Sequence, residues 1–227
     1  MKRGVFVTGT DTGVGKTVAA CALVHALRAR GIRVAPMKPV AAGASPIEGR
    51  IANEDSAALV HAAGWGDEAL ADVTPILLAE PMAPHIAAQR AGARIERGPI
   101  FAALERLASR GDFAVVEGVG GFMVPLAPGF DASDLAREMG FPVVLVVGLR
   151  LGCLNHALLS ARAIAAEGLP LAGWIANAID PAMPVADENI ATLRDRLRAP
   201  LLGILPHQAP PDAEHLSRHL DVSPLLP

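Results

Sequence analysis

Gly4-Val5-Phe6-Val7-Thr8-Gly9-Thr10-Asp11-Thr12-Gly13-Val14-Gly15-Lys16-Thr17 is the stretch on which the rest of the chain is read. A short apolar run ends in a glycine turn, and Lys16-Thr17 opens an alanine-rich segment, so the order is strand, loop, helix. Such a loop is a phosphate cradle. Its glycines let backbone N–H groups converge on phosphate oxygens, and the helix N-terminus adds its positive dipole; Lys16 reaches the β/γ-phosphates and Thr17 offers a hydroxyl to Mg²⁺. The strict GxxxxGK[ST] spacing calls for glycine where Thr10 stands, and Gly9 comes one residue early. The strand before and the helix after favour the nucleotide reading over a merely structural glycine turn.

Outward from this loop, short β-rich runs alternate with helix-like segments. Strands are expected near Val5-Thr8, Arg33-Lys38, Phe113-Glu117, Val143-Val147, Ala172-Asn177 and Leu201-Leu205. Helices are expected near Lys16-Ala29, Asp55-Ala63, Ile100-Ser109, Asp134-Met139, Asn155-Ala166 and Asp187-Leu197. The unbroken run Val143-Val144-Leu145-Val146-Val147 is what a strand buried on both faces needs. The alternation predicts an α/β fold, a mainly parallel sheet with helices on both faces. Gly31 and Gly111 read as left-handed glycines after helices. No repeat and no Ser- or Gly-rich linker divides the chain, so residues 1–227 are expected to form one P-loop NTPase-like domain.

With 52% hydrophobic and 19% charged residues, the 227-residue chain supports burial rather than disorder. Twenty Lys+Arg against 23 Asp+Glu leaves a net charge of −3, without the basic excess of a general nucleic-acid binder. The longest apolar stretch, Phe141 to Leu149, ends at Arg150 and is too short to cross a bilayer. Met1-Lys2-Arg3 runs directly into the first strand, so this charged start is read as strand rather than signal peptide. Cys21 and Cys153 stand outside any CxxC pattern, and a reducing cytoplasm suits them. His215 and His219 have helix-face spacing but no third ligand, and Trp65 and Trp174 read as packing residues.

Ligands of parallel sheets bind at the carboxyl ends of the strands. Lys38, Asp55 and Glu117 all fall there. Read alone, Lys38 is compatible with a solvated lysine and Asp55 with a helix N-cap. Glu117 ends an apolar strand before Gly118-Val119-Gly120-Gly121, where a carboxylate is costly unless something positive, such as Mg²⁺ on a nucleotide, faces it. Glu80-Pro81-Met82-Ala83-Pro84-His85 cannot be an ordinary helix interior and reads as a wall or turn beside the site, or as a connecting loop. The Pro/Leu-rich end reads as a docked or frayed tail.

From Val7 to about Pro206 the chain resembles the dethiobiotin synthetase family. The likeness rests on Gly9-Thr10-Asp11-Thr12 with Val14-Gly15-Lys16-Thr17, Lys38-Pro39-Val40, Val116-Glu117-Gly118 with Gly120-Gly121, and Leu151-Gly152-Cys153-Leu154-Asn155-His156. The resemblance implies a reaction in which 7,8-diaminononanoate and CO₂ form a carbamate, ATP phosphorylates it, and the second amine closes a cyclic urea, leaving dethiobiotin, ADP and phosphate. By the same resemblance, Asp11, Thr12, Gly13, Val14, Gly15, Lys16 and Thr17 cradle the phosphates, and Thr17, Asp55 and Glu117 hold Mg²⁺. Lys16, Lys38 and Thr12 act on the transferring group. Asn177 and Pro206 meet the adenine, and Lys38, Ala42 and Gly120 meet the substrate. Leu151, Gly152, Cys153, Leu154 and Asn155 receive its carboxylate from the neighbouring subunit of a homodimer.

Gly13 stands where some members carry Glu, and Ala42 where some carry a hydroxyl residue. Neither change removes a group the chemistry requires. Three other functions fit parts of the pattern. A regulatory ATPase of the partitioning type usually has an extra lysine early in the loop, where this chain has Asp11-Thr12-Gly13. A glutamine-dependent amide-forming enzyme needs a nucleophilic cysteine in an elbow, which neither Cys21 nor Cys153 provides. A noncatalytic nucleotide scaffold leaves Lys38 and Glu117 less well explained.

Overall fold

The computed structural model describes residues 3–47 and 49–226, so Met1 and Lys2 of the charged start lie outside it, with Glu48 and Pro227. The chain runs β1 (Gly4–Gly9), α1 (Lys16–Ala29), β2 (Val34–Met37), β3 (Val40–Ala42), β4 (Ser45–Ile47), β5 (Arg50–Ala52), α2 (Glu54–Ala62), α3 (Leu70–Val73), β6 (Ile76–Leu78), α4 (Pro84–Arg90) and α5 (Arg97–Leu107). It continues through β7 (Phe113–Glu117), β8 (Pro125–Ala127), β9 (Phe130–Asp131), α6 (Ala132–Met139), β10 (Val143–Gly148), α7 (Cys153–Ala166), β11 (Leu171–Asn177), α8 (Ala186–Arg196), β12 (Leu201–Leu205) and α9 (Ala213–Leu216). Six strands make one parallel sheet in the order β12-β11-β10-β1-β7-β2. The others pair as β3 with β6, β4 with β5 and β8 with β9.

Every residue of β1 and β10 is buried, which is why neither shows polar alternation. Val5 and Val7 of β1 pack in one layer with α1 and α9, while Phe6 packs in the opposite layer with α5, α7 and α8. Val144 and Val146 against Val143, Leu145 and Val147 repeat the division on β10. Ala19, Ala20 and Ala22 let α1 lie close on the sheet, and Leu23, Val24 and Leu27 fill the layer. Each such aliphatic side chain is worth ~1.5–3 kcal/mol when buried. Trp174 of β11 is fully buried, whereas Trp65 is half-buried with the Arg110 guanidinium 4.2 Å from its ring centre.

The two edges are closed differently. Pro36 cannot donate outward from β2, which suits a strand that pairs only with β7. On the other side, Leu220 bridges back to Gly203 of β12, and Leu216 and Val222 are buried, so the C-terminal segment is docked rather than frayed. From β1 the chain fills β2 and then β7 on one side, and afterwards β10, β11 and β12 on the other. The order therefore reverses at β1, and the crevice beyond its carboxyl end is where a parallel sheet places a ligand.

Several boundaries move by one to three residues. Gly31 has the expected left-handed φ of 76°, but Gly111 does not belong to a left-handed cap. Helix α5 is already capped by Ala108, and glycine is needed at 111 because a Cβ there would stand 2.7 Å from the Ala35 amide nitrogen. Helix α7 starts at Cys153 instead of Asn155, with Gly152 left-handed at φ 96° as its N-cap. The Pro-rich stretch leads into a helix that the sequence reading did not anticipate, α4, with Pro84 at its first turn, where a missing N–H costs nothing.

Candidate active site

The glycine loop begins where β1 ends. Thr10 donates its N–H to the Val146 carbonyl at 3.0 Å, which ties the loop to β10. A Cβ on Gly9 would fall 2.9 Å from Cγ of Lys16, so the glycine is required one position earlier than the strict pattern places it. Gly15, at φ 80°, caps α1 without any side-chain bond. Ala19 is the first residue whose N–H closes onto the Gly15 carbonyl, at 3.0 Å, so the amides of Lys16, Thr17 and Val18 remain for an anion. The Lys16 ammonium folds back onto the Asp11 carbonyl at 3.1 Å.

Strand register brings the distant residues to the same level. Glu117 lies opposite Val7, and Met37 opposite Val116, so Lys38 emerges beside Glu117. Lys38 donates to Glu117 Oε1 and, at 3.0 Å, to Asp55 Oδ2. Thr17 donates its hydroxyl to the same Glu117 Oε1 at 2.9 Å. Helix α2 is capped by Asn53, whose side chain accepts from the Asp55 and Ser56 amides, so the Asp55 carboxylate is released from capping and faces Lys38.

Burial works against the Lys38 ammonium, but Glu117 and Asp55 outweigh it and leave the group above the usual lysine range. Burial also works against the Asp55 carboxylate, and Lys38, Thr17 and Lys16 together hold it below the usual range. At Lys16 burial wins: it lowers the ammonium, with Glu117 opposing and Lys38 adding to the effect. Burial raises the Cys21 thiol, which leaves it unreactive. Glu117 Oε2 is buried without a hydrogen-bond partner. Glu117, Thr17 and Asp55 together offer hard oxygen donors of the kind that would suit Mg²⁺. Among the described residues no group of three His, Cys, Asp or Glu side chains could hold a metal, and His215 and His219 only meet edge to face.

One cavity of about 860 Å³ is lined by Thr12, Gly13, Gly15, Lys16, Thr17, Lys38, Ala42, Asp55, Glu117 and Gly120. Pro81, Met82 and Ala83 complete a wall of it, with Val119 and Val124. A smaller recess of about 190 Å³ shares Gly13 and Gly15 and is lined by Asn177 and Pro206. Asn177 donates to the Val14 carbonyl at 2.9 Å, so the loop and the recess are tied together. Val14 itself is buried and lines neither space. Leu151, Gly152, Cys153, Leu154 and Asn155 line neither space. Cys153 is buried, and Leu151 is 97% exposed. The sequence reading missed Arg150, whose guanidinium pairs with Asp11 Oδ2; the available signal was a charge placed directly after the longest apolar run. It also missed Val119 and Val124, because apolar residues in a glycine-rich loop carry no motif.

The AAA domain family model matches residues 3–215. The ATP-dependent dethiobiotin synthetase BioD of Aromatoleum aromaticum is 55% identical to this chain over 218 residues, covering 96% of each. The chain belongs to the dethiobiotin synthetase family. A second family relative, the ATP-dependent dethiobiotin synthetase BioD of Ralstonia nicotianae, is 53% identical over 97% of this chain and 96% of its own.

Among solved structures, a ParA family ATPase from Chlorobium tepidum superposes with a TM-score of 0.57 at 18% identity, covering 97% of this chain and 91% of its own. The cell division ATPase MinD of Pyrococcus furiosus gives 0.54 at 18% identity, covering 92% and 85%. These likenesses speak to the fold alone, the parallel sheet with a glycine loop after its first strand. Membership in the dethiobiotin synthetase family is what separates this chain from such ATPases.

Proposed function

We propose that this chain is an ATP-dependent dethiobiotin synthetase, an enzyme of biotin biosynthesis that turns 7,8-diaminononanoate, CO₂ and ATP into dethiobiotin, ADP and phosphate. The observation that carries this reading is the pair of buried lysines, Lys16 and Lys38, on the wall of one cavity with the unpaired Glu117 oxygen. An amine nitrogen bonds to CO₂ and loses a proton, giving a carbamate. A carbamate oxygen takes the γ-phosphoryl group and ADP leaves; the second amine then attacks the carbonyl carbon, phosphate leaves, and the cyclic urea closes. The carbamate, its phosphorylated form and the nucleotide phosphates are all anionic, and the protein's task is positioning and charge stabilisation.

Lys16 and the amides of the loop from Asp11 to Thr17 receive the phosphates. Lys38 stands where its ammonium can face the carbamate and the transferring group, with Thr12 and Gly120 lining the same cavity. Thr17, Asp55 and Glu117 are the residues that would hold Mg²⁺, which supplies neutralisation of phosphate charge when bound. Asn177 and Pro206 form the recess for the base, and Ala42 lies on the substrate side. The apolar wall of Pro81, Met82, Val119 and Val124 suits an aliphatic chain and excludes water from it.

The 227 residues act as one domain and the enzyme as a homodimer. The Leu151–Asn155 segment lies outside its own chain's cavity, and α7 opens without a side-chain cap, so its amides at Leu154 and Asn155 are suited to a carboxylate held in the neighbouring subunit's site. Two buried, unpaired cysteines fit a reducing cytoplasm. Incubation with the diamine, bicarbonate, ATP and Mg²⁺, followed by detection of the cyclic urea, tests the reading. ATP hydrolysis that ignores the diamine, with no cyclic urea formed, overturns it in favour of a regulatory ATPase.

A further inference from the structure

We infer that Arg150 is a positioning residue that locks the nucleotide loop to the turn in front of α7. Asp11 is held at three points. Its Oδ1 accepts the Thr12 amide at 2.7 Å, its Oδ2 accepts the Arg150 guanidinium, and its main-chain carbonyl accepts the Lys16 ammonium at 3.1 Å. Arg150 is held at its other end as well. Its carbonyl accepts the Cys153 amide at 3.0 Å, closing the turn that presents Gly152, and Leu149 before it donates to Asn177 at 2.8 Å. One side chain therefore joins the loop that holds Lys16 to the turn that sets the direction of the α7 amides.

Stability does not explain this contact. The two side chains are 42% and 46% exposed, and an ion pair so open to water adds little to folding. The consequence is electrostatic and geometric. Asp11 is an acidic residue inside a loop built for phosphates, and without a cation on its carboxylate it repels the ligand that the loop is shaped to receive. The guanidinium removes that repulsion and, being planar, fixes the direction of the carboxylate as a lysine cannot. In the shared-site reading the joined segments serve different active centres, so this contact within one chain also couples the two centres. This last point rests on the function proposed above.

The test uses the intact enzyme. Affinity for a non-hydrolysable ATP analogue with Mg²⁺ is measured by calorimetry, beside the KM for the diamine, kcat and the melting temperature. Arg150→Ala is expected to weaken the nucleotide roughly tenfold and to raise the KM for the diamine, with a smaller change in kcat and melting within a few degrees of the parent. Arg150→Lys is expected to restore most of the nucleotide affinity and less of the KM. Asp11→Asn placed on Arg150→Ala is expected to recover nucleotide affinity, because the repelling carboxylate is gone. Arg33→Ala, which breaks the exposed pair with Asp112 at the opposite end of the sheet, is the control and should leave all four quantities alone.

Nucleotide affinity within twofold of the parent in Arg150→Ala overturns the inference, as does failure of the double variant to recover any. Should Arg150→Ala precipitate, Arg150→Gln removes the charge at similar length and decides in its place. A parent that binds the analogue but makes no cyclic urea sinks the proposed function, while the calorimetric arm still decides Arg150.

Discussion

Lys38 donates to the Glu117 carboxylate at a depth where the two side chains are only 5% and 0% exposed. Asp55 and Lys16 close the group, so two ammonium ions stand against two carboxylates before any ligand arrives. Breaking such a pair from one side is more damaging than leaving it out, because the remaining charge loses its main counter-ion without gaining water.

Lys38→Met therefore carries two separable costs. Stability should fall by about 3–5 kcal/mol in urea denaturation, because Glu117 is stranded. Adding Glu117→Gln should return much of that loss, and no recovery would place the damage elsewhere. In the folded fraction, cyclic-urea formation should fall much further than calorimetric ATP affinity. Equal losses of both would put Lys38 in the nucleotide cradle only.

Lys16→Ala should behave oppositely. Among the described residues its ammonium has only the Asp11 carbonyl as a hydrogen-bond partner, so melting should stay near the parent value. Turnover should drop about 100-fold or more, the scale for removing a preorganised charge from a transferring group. A folded variant with near-parental turnover removes Lys16 from the mechanism.

Glu117→Gln keeps the shape and replaces the unpaired oxygen's charge with an amide dipole. The Mg²⁺ concentration giving half-maximal rate should rise several-fold, with part of the rate recovered at high Mg²⁺. An unchanged Mg²⁺ profile makes Glu117 a structural strand end.

The same cluster sets a pH window. Asp55 is held below its unfolded value of about 3.9, so its contribution to folding is complete above that pH and fades as pH falls through the lower folded value. Lys38 is raised, so its contribution is complete below its unfolded value of about 10.4 and fades as pH rises through the higher folded value. The Asp55 side chain is 41% exposed, which limits its share to about 1 kcal/mol or less after solvent screening. The stability difference between parent and Asp55→Asn, followed by urea denaturation, should be present at neutral pH and shrink as pH falls below the ordinary aspartate value. A difference that persists in acid assigns it to packing.

Mixed dimers test the shared site. Lys16→Ala disables the phosphate side, and Gly152→Pro replaces a residue at φ 96° with one that cannot adopt it. With two-fold symmetry, one site of a mixed dimer receives both lesions and the other neither, so random exchange should leave about a quarter of all sites intact. Native mass spectrometry showing folded mixed dimers without any returned activity would place carboxylate binding within one chain.

The strand-loop-helix unit was legible because Gly9 to Thr17 leaves few other conformations, and the buried strands because Val143 to Val147 has no polar residue to turn outward. Lys38 and Glu117 could be nominated from their places at strand ends. Their contact could not, since it depends on β7 lying between β1 and β2, a matter of sheet order rather than local pattern. Asp55 was ambiguous for a similar reason: only the structure shows Asn53 taking the cap. Gly111 misled because a glycine required by a close neighbour looks the same in sequence as one required by a left-handed turn. Helix α4 was hidden by the prolines at its start.

Trp174 gives the chain a built-in optical gauge. There is no tyrosine, so near-ultraviolet emission comes from two indoles alone, one sealed in β11 and one half-wet beneath the Arg110 guanidinium. The sealed indole lies three residues before Asn177, on the strand whose end holds the nucleotide loop. Unfolding of the sheet is therefore visible as a red shift from that indole without any label, and a Trp65→Phe variant would make the signal report a single address.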